Sequence, residues 1–278
     1  NHYIMTTTTG GAANVLGKLE DYLQTEWPEL DVYLTSVTDH YATASVCGPN
    51  SKKILQKIIP DLDLSDENFP HMSFKEVIID KIKCRIMRIS FTGEQSYEIN
   101  APASFGEAIW EKCIEAGKEF DITPYGTETM HLLRAEKGFI IVGQDTDGTM
   151  TPIDLQMDWI VSKKKYDFIG KRSLYRSDTM RENRKQLVGL LTNDPKEILE
   201  EGAQIVEEVK SKPPMDMIGH VTSSYYSPNL NKSIALAVVK NGKKLKGKKL
   251  FVPMPNKIIE VTVSDTVFLD KEGDRLNA

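Results

Sequence analysis

Two stretches of this 278-residue sequence combine the residue types and spacing that could do chemistry. The first, Phe91-Thr92-Gly93-Glu94-Gln95-Ser96-Tyr97-Glu98-Ile99, alternates like a strand and presents a carboxylate at Glu98. The second, Gly126-Thr127-Glu128-Thr129-Met130-His131-Leu132-Leu133-Arg134-Ala135-Glu136-Lys137-Gly138, reads as a helix carrying Leu132, Leu133 and an Arg134/Glu136 pair. Gly138 stands where a helix closes on a left-handed residue. A carboxylate held beside a helix can accept two parallel N–H bonds and so anchor the guanidine-like edge of a pterin. The same residues also fit an ordinary strand–helix unit with a solvated glutamate, and the residue types alone leave both readings open.

The elements that must position these residues follow from periodicity. The run 3–8 is Thr-rich and strand-like, Gly10-Gly11 makes a turn, and Val15, Leu16, Leu19, Tyr22 and Leu23 have helical spacing over 12–27. Strands are expected at 32–37 and 41–46. Gly48-Pro49-Asn50-Ser51 starts a helix whose apolar face is Ile54, Leu55, Ile58 and Ile59. Runs 74–79 and 82–91 pair as a hairpin across Asp80-Lys81, and a further helix covers 105–116. This alternation predicts an α+β fold, a ferredoxin-like sheet with its helices on one face.

A basic connector, Lys163-Lys164-Lys165-Tyr166-Asp167-Phe168-Ile169-Gly170-Lys171-Arg172, marks a change in pattern. After a short helix through Leu174 come β runs at 185–191, 203–206, 218–223, 233–239, 249–252 and 258–263, separated by Pro-, Asn- and Gly-rich turns. That pattern predicts a C-terminal β-barrel beginning near Lys171. The expected domains are therefore residues 1–165 and 166–278.

Composition excludes several classes of function. Hydrophobic residues make up 40% and charged residues 27%, as in a globular protein. The net charge of -5 argues against nucleic acid as the partner. The lysines at 243, 244, 246, 248 and 249, around Gly242 and Gly247, read as a solvated hairpin. Cys47, Cys84 and Cys113 form no C-x-x-C pair, which suggests neither disulfides nor zinc, and Cys84 reads as a small core residue. A cytoplasmic, reducing compartment and no membrane association are expected, since no apolar run approaches the roughly 20 residues needed to span a bilayer. No G-x-G-x-x-G follows a strand, so no dinucleotide site of that type is encoded, and the histidines suggest neither a metal nor a triad.

The combination of Phe91-Thr92-Gly93-Glu94…Tyr97-Glu98, Tyr125-Gly126-Thr127-Glu128…Arg134-Ala135-Glu136-Lys137-Gly138 and Gly143-Gln144-Asp145-Thr146-Asp147-Gly148-Thr149…Thr151-Pro152 resembles the aminomethyltransferase family of tetrahydrofolate enzymes. Within that family it is most similar to the C-terminal part of the sarcosine oxidase alpha-subunit branch. The resemblance implies tetrahydrofolate in a channel lined by Glu98, which binds the pterin, by Phe91 where relatives often carry Tyr, by Trp159, and by Thr8. By its residues alone, Trp159 fits a core position equally well.

The resemblance further implies FAD, FMN and NAD elsewhere in the full enzyme. The implied partners are the remainder of the alpha subunit and the other subunits of a heterotetramer. The family's catalytic aspartate lies in a segment before the Thr-rich run, so no catalytic residue is expected within 1–278. The chain opens at Asn1, and the expectation is a piece of a longer polypeptide that lacks the N-terminal part of the fold.

Two departures bear on which branch it is. Met130 and Pro255-Asn256 stand where the glycine cleavage T-protein has arginines for the folate tail, which favours the oxidase branch. Asp145 and Asp147 are candidate substitutes for the missing aspartate, but in a Gly-rich loop they read as turn caps. The competing readings are a self-standing folate-dependent aminomethyltransferase or demethylase, and a non-catalytic folate-binding or interaction domain.

Overall fold

The computed structural model describes residues 2–277, which divide into two compact units. Of these, the first holds residues 2–90 and 94–124, with 276–277, and is built on an antiparallel sheet. Its strands are β1 (Tyr41–Cys47), β2 (Ser73–Ile79), β3 (Ile82–Arg88) and β4 (Ser96–Pro102), in the spatial order β1-β4-β3-β2. Helices α2 (Ser51–Ile58) and α3 (Gly106–Gly117) bury Ile54, Leu55, Ile58, Ile109 and Cys113 against Tyr97, Ile99 and Ala101 of β4 and Cys84 and Ile86 of β3. The expected hairpin is present: Ile79 pairs with Ile82, and Asp80 and Lys81 both take positive φ (47 and 71), the geometry of a two-residue primed turn. The predicted α+β class with helices on one face holds. The sheet inserts β4 between the hairpin and α3, so the order is strand, helix, three strands, helix.

Three strand expectations fail in whole or in part. Residues 3–8 and 32–37 belong to no strand. Residues that favour strands confer a capacity to pair, and these runs meet no strand partner among the described residues. Helix α1 (Ala12–Thr25) forms as its spacing predicts, yet buries none of its residues. The expected strand over 91–99 pairs only from Ser96 onward, because Gly93 at φ +82 turns the chain sharply just before it.

The second unit, residues 91–93 and 125–275, contains a closed six-stranded barrel. Its strands are β5 (Lys185–Thr192), β6 (Gln204–Val206), β7 (Met217–Ser227), β8 (Lys232–Lys240), β9 (Lys249–Met254) and β10 (Lys257–Ser264), in the order β10-β5-β8-β7-β6-β9. Each predicted β run in this region is a barrel strand. Val188, Leu190, Val221, Ala237, Val239, Val252 and Val261 fill the interior. Strand β8 is buried at every position from Ser233 to Val239, because its outer face, Leu236 and Val238, is covered by Ile140, Met150, Leu155 and Phe268. The lysine-rich 243–249 segment is not the hairpin expected. β8 pairs with β5 and β7 while β9 pairs with β10 and β6, so the segment crosses between strands that are not neighbours.

Helix α4 (Thr127–Glu136) packs on this barrel through its last turn. It closes as expected on Gly138 (φ +68), with Gly138 N donating to Ala135 O (3.0 Å) and Phe139 N to Arg134 O (2.9 Å). The fully buried Arg134 donates to Asp145 Oδ2 (2.5 Å), Phe139 O (2.9 Å) and Ser223 Oγ (2.7 Å). Asp145 Oδ1 accepts from both Thr222 (2.6 Å) and Ser223 (2.8 Å). Consecutive strand residues ordinarily point to opposite faces, and the register shift of β7 between Val221 and Ser223 lets both hydroxyls reach one carboxylate. Glu136 takes Ser227 (2.5 Å) and Asn229 (2.9 Å), and Lys137 pairs with Asp270 (2.8 Å).

Asp145→Asn leaves the Arg134 charge buried and under-compensated, and is expected to cost about 3–5 kcal/mol. Asp147→Asn, on a solvated turn, is expected to cost about 1 kcal/mol or less. Urea unfolding of the two variants measures the difference.

Candidate functional site

Strand β4 separates structure from chemistry by alternation. Tyr97, Ile99 and Ala101 are fully buried beneath the helices, while Glu98 and Asn100 point to the opposite face and are half-buried. The register places Ser45 of β1 and Met87 of β3 directly beside Glu98. The polar groups nearby are already committed. Thr43 Oγ1 donates to Asn100 Oδ1 (2.8 Å), and the Ser45 and Ser96 hydroxyls lie 3.3 Å apart. Arg85, one pleat along β3, pairs with Glu76 (2.9 Å) and lies between the rings of Tyr41 and Phe74, 5.8 and 5.7 Å from their centroids.

Among the described residues the Glu98 carboxylate therefore makes no hydrogen bond or ion pair, and burial alone lifts its pKa above the ordinary carboxylate value. Such a group is an acceptor without donors. It suits a ligand edge that brings two N–H bonds.

The Thr92-Gly93-Glu94 turn has a steric cause. A Cβ on Gly93 would lie 1.9 Å from Lys137 Cγ, so only glycine allows the turn to lie against the end of α4. Phe91, which opens this turn, is 39% exposed. Trp159 lies on the 3-10 turn Asp158–Ile160 and is 75% exposed, so the core alternative for its indole does not hold. Thr8 is exposed, and its carbonyl accepts from Gly11 N (2.9 Å) ahead of α1. The four residues singled out in the sequence divide between the units, Glu98 and Thr8 in the first, Phe91 and Trp159 in the second.

Both candidate aspartates have structural partners. Asp147 accepts from Thr149 N (2.8 Å) and Oγ1 (2.6 Å), bonds that hold its carboxyl below the usual range, as a turn cap. Asp145 also accepts a backbone N–H, from Ile141 (2.9 Å), but its larger role is the buried pair with Arg134. Sequence reasoning saw the turn and missed the ion pair.

Cys84 is a core residue as expected, and burial pushes the Cys113 thiol up to about 11, so neither suits nucleophilic work. Among the described residues no group of three or more His, Cys, Asp or Glu could hold a metal ion, and no helix is long and apolar enough to cross a membrane. The surroundings of Glu98, namely Ser45, Asn100, Met87 and Arg85, were not singled out from sequence. Their signal is the alternation of β1 and β3, which becomes readable only once the register is known.

Comparison with known proteins places this arrangement. Residues 1–165 match the model of the GCVT N-terminal domain, and residues 185–270 that of the glycine cleavage T-protein C-terminal barrel domain. The sarcosine oxidase subunit alpha of Corynebacterium sp. strain P-1 is 53% identical over 278 residues, covering 99% of this chain and 29% of that protein. The corresponding subunit of Rhizobium meliloti is 40% identical, covering 100% and 28%. An aminomethyltransferase of Clostridium botulinum strain Loch Maree is 33% identical, covering 88% and 64%. The chain thus spans under a third of the sarcosine oxidase relatives. The crystal structure of the glycine cleavage system aminomethyltransferase T from Bartonella henselae shares the fold, with a TM-score of 0.78 at 23% identity, covering 94% of this chain and 67% of that one.

The raised Glu98 pKa has a measurable sign. A carboxyl whose folded pKa exceeds the unfolded value of 4.5 keeps its proton longer in the native state. The stability linked to it is present below that value and is lost as pH rises through the raised pKa. Glu98→Gln, which cannot ionise, is therefore expected to raise the melting temperature at about pH 7 and to leave it unchanged at about pH 4. Differential scanning calorimetry at the two pH values tests this, and a Gln variant less stable at neutral pH contradicts it.

Proposed function

The chain belongs to the glycine cleavage T-protein family, and from that premise we propose that it is the tetrahydrofolate-binding one-carbon transfer module of a sarcosine oxidase alpha-type polypeptide. In this reading the imine from flavin-dependent oxidation of sarcosine is converted here, with tetrahydrofolate, into methylenetetrahydrofolate and glycine. The oxidation, with its FAD, FMN and NAD, belongs to other parts of a cytoplasmic heterotetramer. The higher identity to the sarcosine oxidase subunits than to the aminomethyltransferases (53% against 33%) supports the oxidase branch over a self-standing transferase.

The observation that carries the reading is the Glu98 carboxylate, half-buried, destabilised by desolvation and without a partner of its own among the described residues. It fits the group. A pterin edge offers two parallel N–H donors, and a carboxylate accepting both regains the solvation that folding removed. Phe91 retains a ring face for stacking without the hydroxyl that a tyrosine would add, and Trp159 supplies a second large exposed aromatic face. Thr8 has a hydroxyl to offer at the start of the chain. Bound tetrahydrofolate supplies the nucleophilic nitrogens that take up the one-carbon unit. In this reading Glu98 holds the acceptor in place, and an imine delivered beside bound tetrahydrofolate meets it at an effective molarity that outcompetes hydrolysis by water.

In the assembled enzyme, Glu98→Gln is expected to weaken tetrahydrofolate binding by about 2–4 kcal/mol, roughly 30- to 800-fold, in titration calorimetry. Sarcosine-dependent oxygen uptake should continue, with formaldehyde replacing methylenetetrahydrofolate as the one-carbon product. Unchanged affinity in a correctly folded variant removes Glu98 from this role.

A second expectation is a pH signature. Binding that stabilises the ionised carboxylate draws its pKa down, so wild-type affinity should strengthen as pH rises through the raised pKa, while the Gln variant shows no such slope. Affinity that weakens over that range contradicts a carboxylate acceptor.

A further inference from the structure

Residues 158–181 belong to the second unit and carry little regular structure, the 3-10 turns Asp158–Ile160 and Lys171–Tyr175 and the single helical turn Ser177–Met180. Large apolar side chains stand in solvent along it, Tyr166 at 96%, Tyr175 at 68% and Ile169 at 63% exposure, besides Trp159. Isolated exposed apolar residues are unremarked on any surface, but several within one short segment mark a contact surface.

The charge of the segment is one-sided, with seven Lys and Arg against three Asp in a chain whose net charge is -5. Asp178 is already paired with Arg181 (3.3 Å) and Arg184 (3.2 Å), and Asp167 accepts from the Phe168 backbone N–H. Lys171 donates to the Tyr166 carbonyl and lies over the rings of Tyr166 and Phe168. Among the described residues, Lys163, Lys164, Lys165, Arg172 and Arg176 make no ion pair, so five cations stand uncompensated beside exposed aromatic rings.

We propose that residues 163–181 form the docking surface for an acidic face of a companion protein subunit, with Tyr166, Ile169 and Tyr175 as apolar anchors and Lys163-Lys164-Lys165 setting the charge. The proposal rests on the reading of the chain as part of a multi-subunit oxidase. Aromatic and cationic side chains together are the composition of protein interfaces, where the rings supply buried area and the charges supply specificity. An anionic lipid surface fits less well, because it selects a helix with apolar and basic sides separated, and here the two kinds intermingle along irregular chain. The acidity of the molecule as a whole disfavours a nucleic acid.

The test uses the full polypeptide that contains this sequence, co-expressed with its companion subunits. One variant carries Lys163→Glu, Lys164→Glu and Lys165→Glu, and another carries Tyr166→Ser and Tyr175→Ser. The charge variant is expected to raise the dissociation constant of a companion subunit about tenfold or more at low salt, read by mass photometry, and to lose the salt sensitivity of the wild-type complex. The Tyr variant should weaken the complex while leaving its salt response intact, and neither should alter the melting temperature of the isolated polypeptide. Unchanged assembly in both variants overturns the proposal. A fall in melting temperature with unchanged subunit composition assigns the surface to a contact within the same polypeptide, and also overturns it. So does flotation of the intact complex with phosphatidylglycerol vesicles that the charge variant abolishes. A wild-type polypeptide that purifies without any companion defeats the multi-subunit reading itself, and the docking surface with it. A complex that forms but ignores the substitutions defeats the docking surface alone.

Discussion

The buried ion pair between Arg134 and Asp145 ties together a helix end, a loop and a strand of the unit that contains the barrel. Both side chains are withdrawn completely from water, and each charge carries a desolvation cost of several kcal/mol that only dense hydrogen bonding can offset. Asp145 gains that compensation from Thr222, Ser223 and the Ile141 N–H, and Arg134 from the Phe139 carbonyl and Ser223. Three local features follow. Strand β7 must shift register to present both hydroxyls, α4 must end at Gly138 so that the Phe139 carbonyl turns back, and the 139–145 loop must close tightly enough to bring Asp145 beneath the helix. A hydrophobic pair could seal the same gap. It would not fix the register of the helix end against the strand.

Glu136 and Lys137 extend the same arrangement, each held by polar groups around the barrel. The Arg134-Ala135-Glu136-Lys137-Gly138 motif is accordingly a clamp. The turn at Gly93 rests on the aliphatic part of Lys137, a contact within the same unit.

In the first unit the sheet divides its labour by face. The helix-covered side supplies the apolar core, and the other side carries hydroxyls, an amide and Glu98. Keeping a carboxylate half-buried with no partner among the described residues weakens the fold at neutral pH, because desolvation disfavours its charged form and nothing nearby offsets it. Arg85 could have relieved it, but pairing with Glu76 and the flanking Tyr41 and Phe74 rings hold its guanidinium elsewhere.

Much of this was legible in the residues. The six barrel strands, helices α2, α3 and α4, the Asp80-Lys81 hairpin and the Gly138 cap follow from period, φ restriction and turn chemistry, all of which act over a few residues. The alternation of β4 likewise puts Glu98 opposite Tyr97 and Ile99. What failed depended on partners distant in sequence. The 3–8 and 32–37 runs have strand-like composition but no neighbour to pair with among the described residues, and the lysine segment after β8 resembles a hairpin loop until the barrel order separates β8 from β9.

The sequence by itself determined where the chain turns, which face of each element is apolar, and that Glu98 lies off the core face. Only the tertiary structure decided that Glu98 has no partner among the described residues and a raised pKa, that Asp145 is half of a buried pair while Asp147 caps a turn, and that Trp159 stands in solvent. The physical reason is range. Backbone preference is set by adjacent atoms, whereas the charge state and availability of a side chain depend on how much water is removed around it and on which charges the rest of the chain brings near.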